Sequence, residues 1–422
     1  MKSHLRSIFS NFFALSIIQG INFIIPLIVM PFVISRIGVE NFGVIAIAQV
    51  VMVYLTTLAD YGFNLTATKD ISVNKNNKNS IYISEIFITV LVTKILISFF
   101  AFVLLLLLIE IIPFLHSVGK IYLFGFTYVV GQSLLVSWFF QGMEKMRFIT
   151  YSVLIARIIF VVMIFFFVEG PGDTYLFLFF FGLGSILAGL FSIYIAWRIF
   201  KIRLVQPKWL NIKLEIYNGW QITLSNIFIN TYLYSNIFLL RFFANDLVVG
   251  YYSIAERIFF AIRQMLGIYS QVIYPKICQI TRQGKYQTAI FLKQVYQPFL
   301  LTICMGCLSV FIFSKQIISI FTDTGSVIPE VILKMLSFVP VVVCLNIPAY
   351  QVLLSFDLKR SYLRVLTAGT ILNILINLYL AKIWGAYGTA TAIIITEVFI
   401  TVALNAELYK QKLIGYIKQK MA

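Results

Sequence analysis

The stretch IYISEIFITVLVTKILISFFAFVLLLLLI at residues 81–109 is apolar almost throughout and carries a lysine, Lys94, in its middle. At 1.5 Å rise per residue, about 20 such residues cross the roughly 30 Å hydrocarbon core of a bilayer, so the run predicts one transmembrane helix. Its neighbours read the same way. Of 422 residues, 60% are apolar and 12% charged, against about 25% charged in an ordinary soluble domain, and the mean hydropathy is +0.94. This length accommodates about ten to fourteen spanning helices and leaves no room for a soluble domain. The first apolar run, after Lys2 and Arg6, is too long for a signal-peptide core and lacks a small-x-small cleavage site, which predicts a retained first helix.

Breaks at charges, Gly and Pro place helices near 11–34, 42–64, 81–109, 119–140, 148–168 and 174–197. Six more fall near 220–243, 247–274, 295–318, 330–355, 361–382 and 386–408. The Lys and Arg residues of the two termini and the even-numbered loops total roughly 22, those of the odd-numbered loops roughly 4. That asymmetry predicts cytoplasmic amino and carboxyl termini, and omitting one helix would destroy it. The net charge of +17 is therefore read as membrane topology and not as a nucleic-acid surface, because the basic residues sit in short gaps between apolar runs.

Residues 198–219 interleave Arg198, Lys201, Arg203, Lys208 and Lys213 with Trp209, Leu210, Ile212, Leu214 and Ile216, the pattern of an amphipathic segment lying at anionic headgroups. They divide an amino-terminal lobe, 1–197, from a carboxyl-terminal lobe, 220–422. Sliding the chain on itself by about 207 residues aligns Asn11 with Asn218, Gly43 with Gly250, Ile47-Ala48-Gln49 with Ile254-Ala255-Glu256, and Lys69 with Lys276. The expected fold is all-α and integral to the membrane: twelve transmembrane helices in two pseudo-symmetric six-helix lobes around a central cationic cavity.

Seven basic residues fall within or at the edges of spans: Lys94, Arg157, Arg241, Arg257, Arg263, Lys334 and Arg364. A cation at the bilayer centre costs about 2.5–3.5 kcal/mol on insertion scales, so Lys94, Arg157 and Arg257 must face an interior, water or a partner. Arg241, Lys334 and Arg364 are near enough to helix ends to snorkel. Few carboxylates lie at similar depth: Asp60, Glu256 and Glu397. A basic excess favours an anion, and a pyrophosphate offers several oxygens to a guanidinium fork. Pairing of individual arginines with those carboxylates is the competing reading. Pro26 and Pro31 are expected to interrupt the first helix beside Gln19 and Asn22, exposing backbone carbonyls to a cavity or hinge.

Enzyme chemistry has no constellation to work with. His4 and His116, the only histidines, fall in the amino terminus and an outer loop. Cys304 and Cys307 lie inside an apolar run with no histidine nearby, so packing is expected of them and no metal or resident cofactor is predicted.

Several motifs carry a family resemblance along nearly the whole chain. Pro26-Leu-Ile-Val-Met-Pro31, Ser35-Arg36-Ile37-Gly38-Val39-Glu40-Asn41-Phe42-Gly43, Asp60-Tyr61-Gly62-Phe63 and, most specifically, Trp138-Phe139-Phe140-Gln141-Gly142-Met143-Glu144-Lys145-Met146-Arg147 belong to the first half. Gly250-Tyr251-Tyr252-Ser253-Ile254-Ala255-Glu256-Arg257, Tyr274-Pro275, Asn373, Asn377, Gly385, Gly388, Ala390 and Glu397 belong to the second, where Trp384 and Thr389 depart from the usual residues. Together they resemble the Wzx-type O-antigen flippases of the multidrug/oligosaccharidyl-lipid/polysaccharide exporter superfamily.

The resemblance implies alternating access in a bacterial inner membrane, with an undecaprenyl-pyrophosphate-linked oligosaccharide moved from the cytoplasmic to the periplasmic leaflet. It also implies coupling to H+ or Na+, and a polysaccharide polymerase and chain-length regulator as partners beside the membrane lipids. On this reading Arg257, Arg263, Arg157 and Lys94 receive the anionic head, and Asp60 and Glu256 couple or gate. The rivals are a drug/cation antiporter of the same fold, which needs buried acids; a peptidoglycan-precursor flippase, which usually carries two additional helices; and a membrane glycan polymerase or ligase, which the short outer loops disfavour.

Overall fold

The computed structural model describes residues 2–74, 80–322 and 325–413, with side chains left out at 2–19, 21–24, 80, 268 and 275. Among the described residues the regular structure is helical. In chain order the helices are α1 (Lys2–Asp60), α2 (Phe63–Asn74), α3 (Ser80–Ile111), α4 (Pro113–His116), α5 (Gly119–Leu134), α6 (Ser137–Gly142), α7 (Arg147–Phe167) and α8 (Thr174–Phe200). They continue with α9 (Trp209–Arg241), α10 (Asp246–Ile280), α11 (Lys285–Ile312), α12 (Ser314–Ser319), α13 (Ile328–Ser337), α14 (Val339–Ser355) and α15 (Lys359–Lys410).

Helix α3 shows which solvent this surface is made for. Its polar residues Ser84, Thr89, Thr93, Lys94 and Ser98 are buried, whereas Phe99 and Phe100 are 62% and 68% exposed. A water-soluble helix has the opposite arrangement. With hydrocarbon outside, the apolar face needs no cover, and the polar groups must find partners within the protein. Ser98 and Ser133 of α5 accordingly meet at 2.6 Å, and the Thr93 hydroxyl donates to the Thr89 carbonyl.

The expected apolar runs fall largely on these helices, although 42–64 crosses a turn at Tyr61–Gly62 and 119–140 breaks between α5 and α6; eight stretches among the described residues are long and apolar enough to cross a membrane. The chain is a multi-pass membrane protein. Helices α9 and α10 fall short of that criterion: α10 carries Glu256, Arg257 and Arg263, and α9 is rich in Asn, Ser and Thr. Two helices each contain a pair of expected spans. The first pair shares α1, which breaks at Gly38 (φ 82°, ψ 163°). The last pair shares α15, which breaks at Gly385 (φ 56°, ψ −129°).

The interruption expected at Pro26 and Pro31 lies elsewhere. Helical backbone runs through both prolines, which are part-buried, and departs at Gly38. A proline removes one i to i−4 bond but keeps a helical φ, whereas the conformation at Gly38 is one that a side chain strongly disfavours. The side chains of Gln19 and Asn22 lie outside the described residues.

The chain divides into two compact units, Met1–Leu233 and Tyr234–Ala422, the boundary falling within α9. In the first unit α5 packs on α8, α7 on α8, and α1 on α3, α5 and α7. Small residues allow this: a Cβ on Gly182 would lie 1.9 Å from the Thr127 hydroxyl, and one on Gly184 2.4 Å from the Ala156 carbonyl. The first turns of α9 dock on the turn that ends α1. There Tyr61 and Gly62 both have positive φ (43° and 75°), and a Cβ on Gly219 would lie 2.4 Å from the Tyr61 carbonyl. In the second unit α10 packs on α13 and α14, and α14 on α15.

Candidate functional site

In the first unit, α1 brings Asp60 to its end and α3 brings Lys94 to its buried face. The ammonium lies 2.7 Å from the Asp60 carboxylate, and their side chains are 2% and 26% exposed respectively. Lys94 Nζ also donates to the backbone carbonyl of Gln132 at 3.1 Å. This carbonyl is near the carboxyl end of α5, where the last turn leaves acceptors open. A lysine buried midway along an apolar helix is thereby paired and hydrogen-bonded, the condition under which a buried charge is tolerated. Nearby, α9 supplies polar partners to α1: Asn230 donates to the Thr57 hydroxyl at 2.6 Å, and the Tyr54 hydroxyl donates to Thr231 at 3.2 Å.

Arg157 of α7 occupies a different setting. Its guanidinium stands 4.7 Å from the centroid of Phe181 on α8, a cation–π contact.

The second unit gathers more of the expected residues. Glu256, 3% exposed, accepts a hydrogen bond from the Tyr252 hydroxyl one helical turn earlier at 3.1 Å. Arg257 follows it on α10, and both Arg257 and Arg263 lie within electrostatic reach of Glu256. Arg263 reaches across to α15, where its guanidinium meets the buried Glu397 at 3.1 Å. Arg257, Arg263, Glu256 and Glu397 thus form one cluster on α10 and α15, with Tyr252 as a bonding partner.

Pairing takes up much of the basic excess. The four deep cations Lys94, Arg157, Arg257 and Arg263 stand against three carboxylates, Asp60, Glu256 and Glu397. The three cations nearer helix ends have carboxylates of their own: Arg241 with Asp246 at 2.7 Å, Lys334 with Glu330 at 2.7 Å, and Arg364 with Glu407 at 3.9 Å.

Further buried polar groups lie in the second unit, where Asn373 and Asn377 carry part of the family resemblance and Asn236, Gln351 and Tyr296 were not singled out in the sequence. Asn377 donates to Asn236 on α9 at 2.9 Å, and Asn373 to Thr396 at 3.2 Å. The remaining amide oxygens of Asn373 and Asn377 are buried without a hydrogen-bond partner. Deeper along α10, Gln351 of α14 accepts from the Tyr296 hydroxyl at 2.6 Å and donates to the Ser270 carbonyl at 2.8 Å. The i, i+4 spacing of Tyr252 and Glu256 was a readable signal; the contacts between helices had none.

A family model described as "Polysaccharide biosynthesis protein" matches residues 8–281. The chain belongs to the polysaccharide biosynthesis protein family. A relative in Escherichia coli (strain K12), described as "Putative O-antigen transporter", is 25% identical over 404 residues, covering 95% of this chain and 96% of its own. This similarity agrees with the resemblance to O-antigen flippases found in the motifs.

Solved structures share the fold of this family member at lower identity. The lipid II flippase MurJ in an inward closed conformation superposes with a TM-score of 0.70 at 14% identity, over 93% of this chain and 87% of that one. An inward-facing multidrug resistance transporter of the MATE family gives 0.66 at 13% identity, over 97% and 96%.

Proposed function

We propose that this polysaccharide biosynthesis family member is a flippase that carries undecaprenyl-pyrophosphate-linked O-antigen, or a related polysaccharide repeat unit, from the cytoplasmic to the periplasmic leaflet by alternating access. The single observation that carries the reading is the full-length similarity to the O-antigen transporter relative, spanning 95% of this chain. The charge pattern supports an anionic cargo. Cations outnumber carboxylates at depth, and three of the four are arginines, so a pyrophosphate can compete for guanidinium groups such as that of Arg263, which otherwise holds Glu397.

Arg257 and Arg263 are the proposed contacts for the anionic head in the second unit, Arg157 and Lys94 in the first. Asp60 and Glu256 are the proposed coupling carboxylates, each already bonded to a proton donor, and H+ or Na+ is the proposed coupling ion. Twelve spanning helices in two pseudo-symmetric lobes around a cationic cavity, with both termini cytoplasmic in an inner membrane, complete the proposal. A polymerase and a chain-length regulator are its proposed partners.

The likeness to a multidrug transporter favours a second reading, a drug/cation antiporter. Replacing Arg257 or Arg157 with Ala separates the two. A flippase of an anionic lipid loses surface polysaccharide in both variants at unchanged protein abundance. Normal polysaccharide in both removes their assigned role, and a gain of resistance to cationic drugs on expression of the wild type supports the antiporter.

A further inference from the structure

Outside the buried charge sites, the chain carries a second cationic feature, at the end of α8. Trp197, Arg198, Lys201, Ile202, Arg203 and Leu204 line an open cleft of about 460 Å³, with three cations and no carboxylate among them.

Its backbone is held on both sides. Lys201 closes α8 in the left-handed conformation (φ 55°, ψ 37°), and Ile202 returns its N–H to the Ala196 carbonyl at 3.4 Å. The Ile202 side chain is buried with Phe87, Phe139 and Ile195. Arg203 then donates its backbone N–H to the buried Ser84 hydroxyl at 3.0 Å. Further on, Asn211 donates to Glu85 at 3.0 Å, and Lys208 stands 3.8 Å from the same carboxylate. Glu85 is therefore engaged by Asn211 and Lys208 and does not line the cleft.

The surface around these cations is apolar. Leu204 is 90% exposed, Trp197 59%, Trp209 62% and Leu210 66%. A soluble anion would explain the cations but leave this apolar rim in water. A phospholipid explains both, because its phosphate meets the cations while its glycerol and first acyl carbons cover Trp197 and Leu204. The cleft also follows directly on a helix apolar enough to span, so it stands at headgroup depth.

We infer that the cleft at Trp197–Leu204 is a binding site for the headgroup of an anionic phospholipid, held by Arg198, Lys201 and Arg203. The site is independent of the cargo proposed above. Full-length protein in detergent is titrated with phosphatidylglycerol or phosphatidylcholine, and bound copies are counted by native mass spectrometry. The wild type retains phosphatidylglycerol in preference to phosphatidylcholine. Arg198→Gln, Lys201→Asn and Arg203→Gln each weaken retention about fivefold, and the triple variant about a hundredfold. Lys315→Gln removes an exposed charge elsewhere and leaves retention unchanged.

Retention by the triple variant equal to wild type overturns the site, as does equal retention of the two lipids. Displacement of the lipid by excess inorganic phosphate overturns the choice of a lipid over a free anion. If the triple variant loses its helical circular dichroism, the three single variants decide, since each alters one exposed side chain.

Discussion

Among the described residues, the tight buried ion pair of the first unit joins α1 and α3, whereas the second unit spreads its buried charge over α10 and α15 with a tyrosine joined to it. The internal repeat expected from the sequence does not copy this chemistry. The positions about 207 residues beyond Asp60 and Lys94 are Gly267 and Leu301, and those preceding Glu256 and Arg263 by the same shift are Gln49 and Thr56. On the alignment expected from the sequence, the buried charges of the two halves sit at unrelated places. A repeated frame is set by apolar length, which every span needs; buried charge is set by function, and each half can carry a different part of it.

The largest effect is expected from separating the tight pair. Lys94→Ala leaves Asp60 without its ammonium, which destabilises the protein by about 3–5 kcal/mol and removes surface polysaccharide. The double variant Lys94→Ala/Asp60→Asn recovers thermal stability in detergent. If the pair serves transport, polysaccharide stays absent in that double variant; its return would make the first unit's pair structural and leave the second unit alone with the cargo. Arg263→Ala likewise strands Glu397, whose side chain is 3% exposed, and is expected to cost a comparable amount, about 3–5 kcal/mol, the penalty of an uncompensated buried charge.

The turn positions give the next contrast. Gly38 of α1 corresponds to Asn245 between α9 and α10, and their ψ angles are similar, 163° and 169°, while φ is 82° in one and −77° in the other. Gly38→Ala therefore forces a side chain into a disfavoured region and costs about 1–3 kcal/mol. Asn245 instead caps α10, its side chain accepting from the Val248 N–H at 3.0 Å, so Asn245→Ala costs about 1 kcal/mol. Thermal unfolding of the two variants side by side measures the difference. Equal losses would mean that the two turns are equivalent despite their geometry.

The smallest effect concerns Glu215, in the amphipathic segment that opens α9. Burial pushes its carboxyl up to about 7, and the Asp70 carboxylate pushes the same way. A carboxyl raised in the folded state binds its proton more tightly there, so its relative stabilisation is complete below the ordinary value near 4.5 and is lost as pH rises through about 7. Glu215→Gln should melt slightly higher than wild type above pH 7, with the gap closing towards pH 4.5. A constant gap across that range would contradict the assignment.

Much of the helical, multi-pass fold was legible because hydrocarbon imposes a simple rule: about 20 apolar residues make one spanning helix. The prolines misled for a physical reason. Pro26 and Pro31 conflict with a helix through one lost hydrogen bond each, whereas the actual break needs the conformational freedom of Gly38, which a sequence shows only as one glycine among 23. At the candidate site the residue types were readable and the partners were not. Lys94 was conspicuous as a lysine inside an apolar run, but its meeting with Asp60 and the Gln132 carbonyl depends on how α1, α3 and α5 dock. Arg263 and Glu397 likewise meet only once α10 and α15 are packed.

The buried cations are proposed to serve an anionic lipid-linked cargo. Purified protein is reconstituted in vesicles carrying an undecaprenyl-pyrophosphate-linked oligosaccharide in one leaflet, and appearance of the sugar on the other side is followed with a lectin. Transfer is expected with the wild type and falls to the protein-free rate in Arg257→Ala. Transfer of a cationic dye by the wild type, with the pyrophosphate lipid left in its original leaflet, would contradict this role.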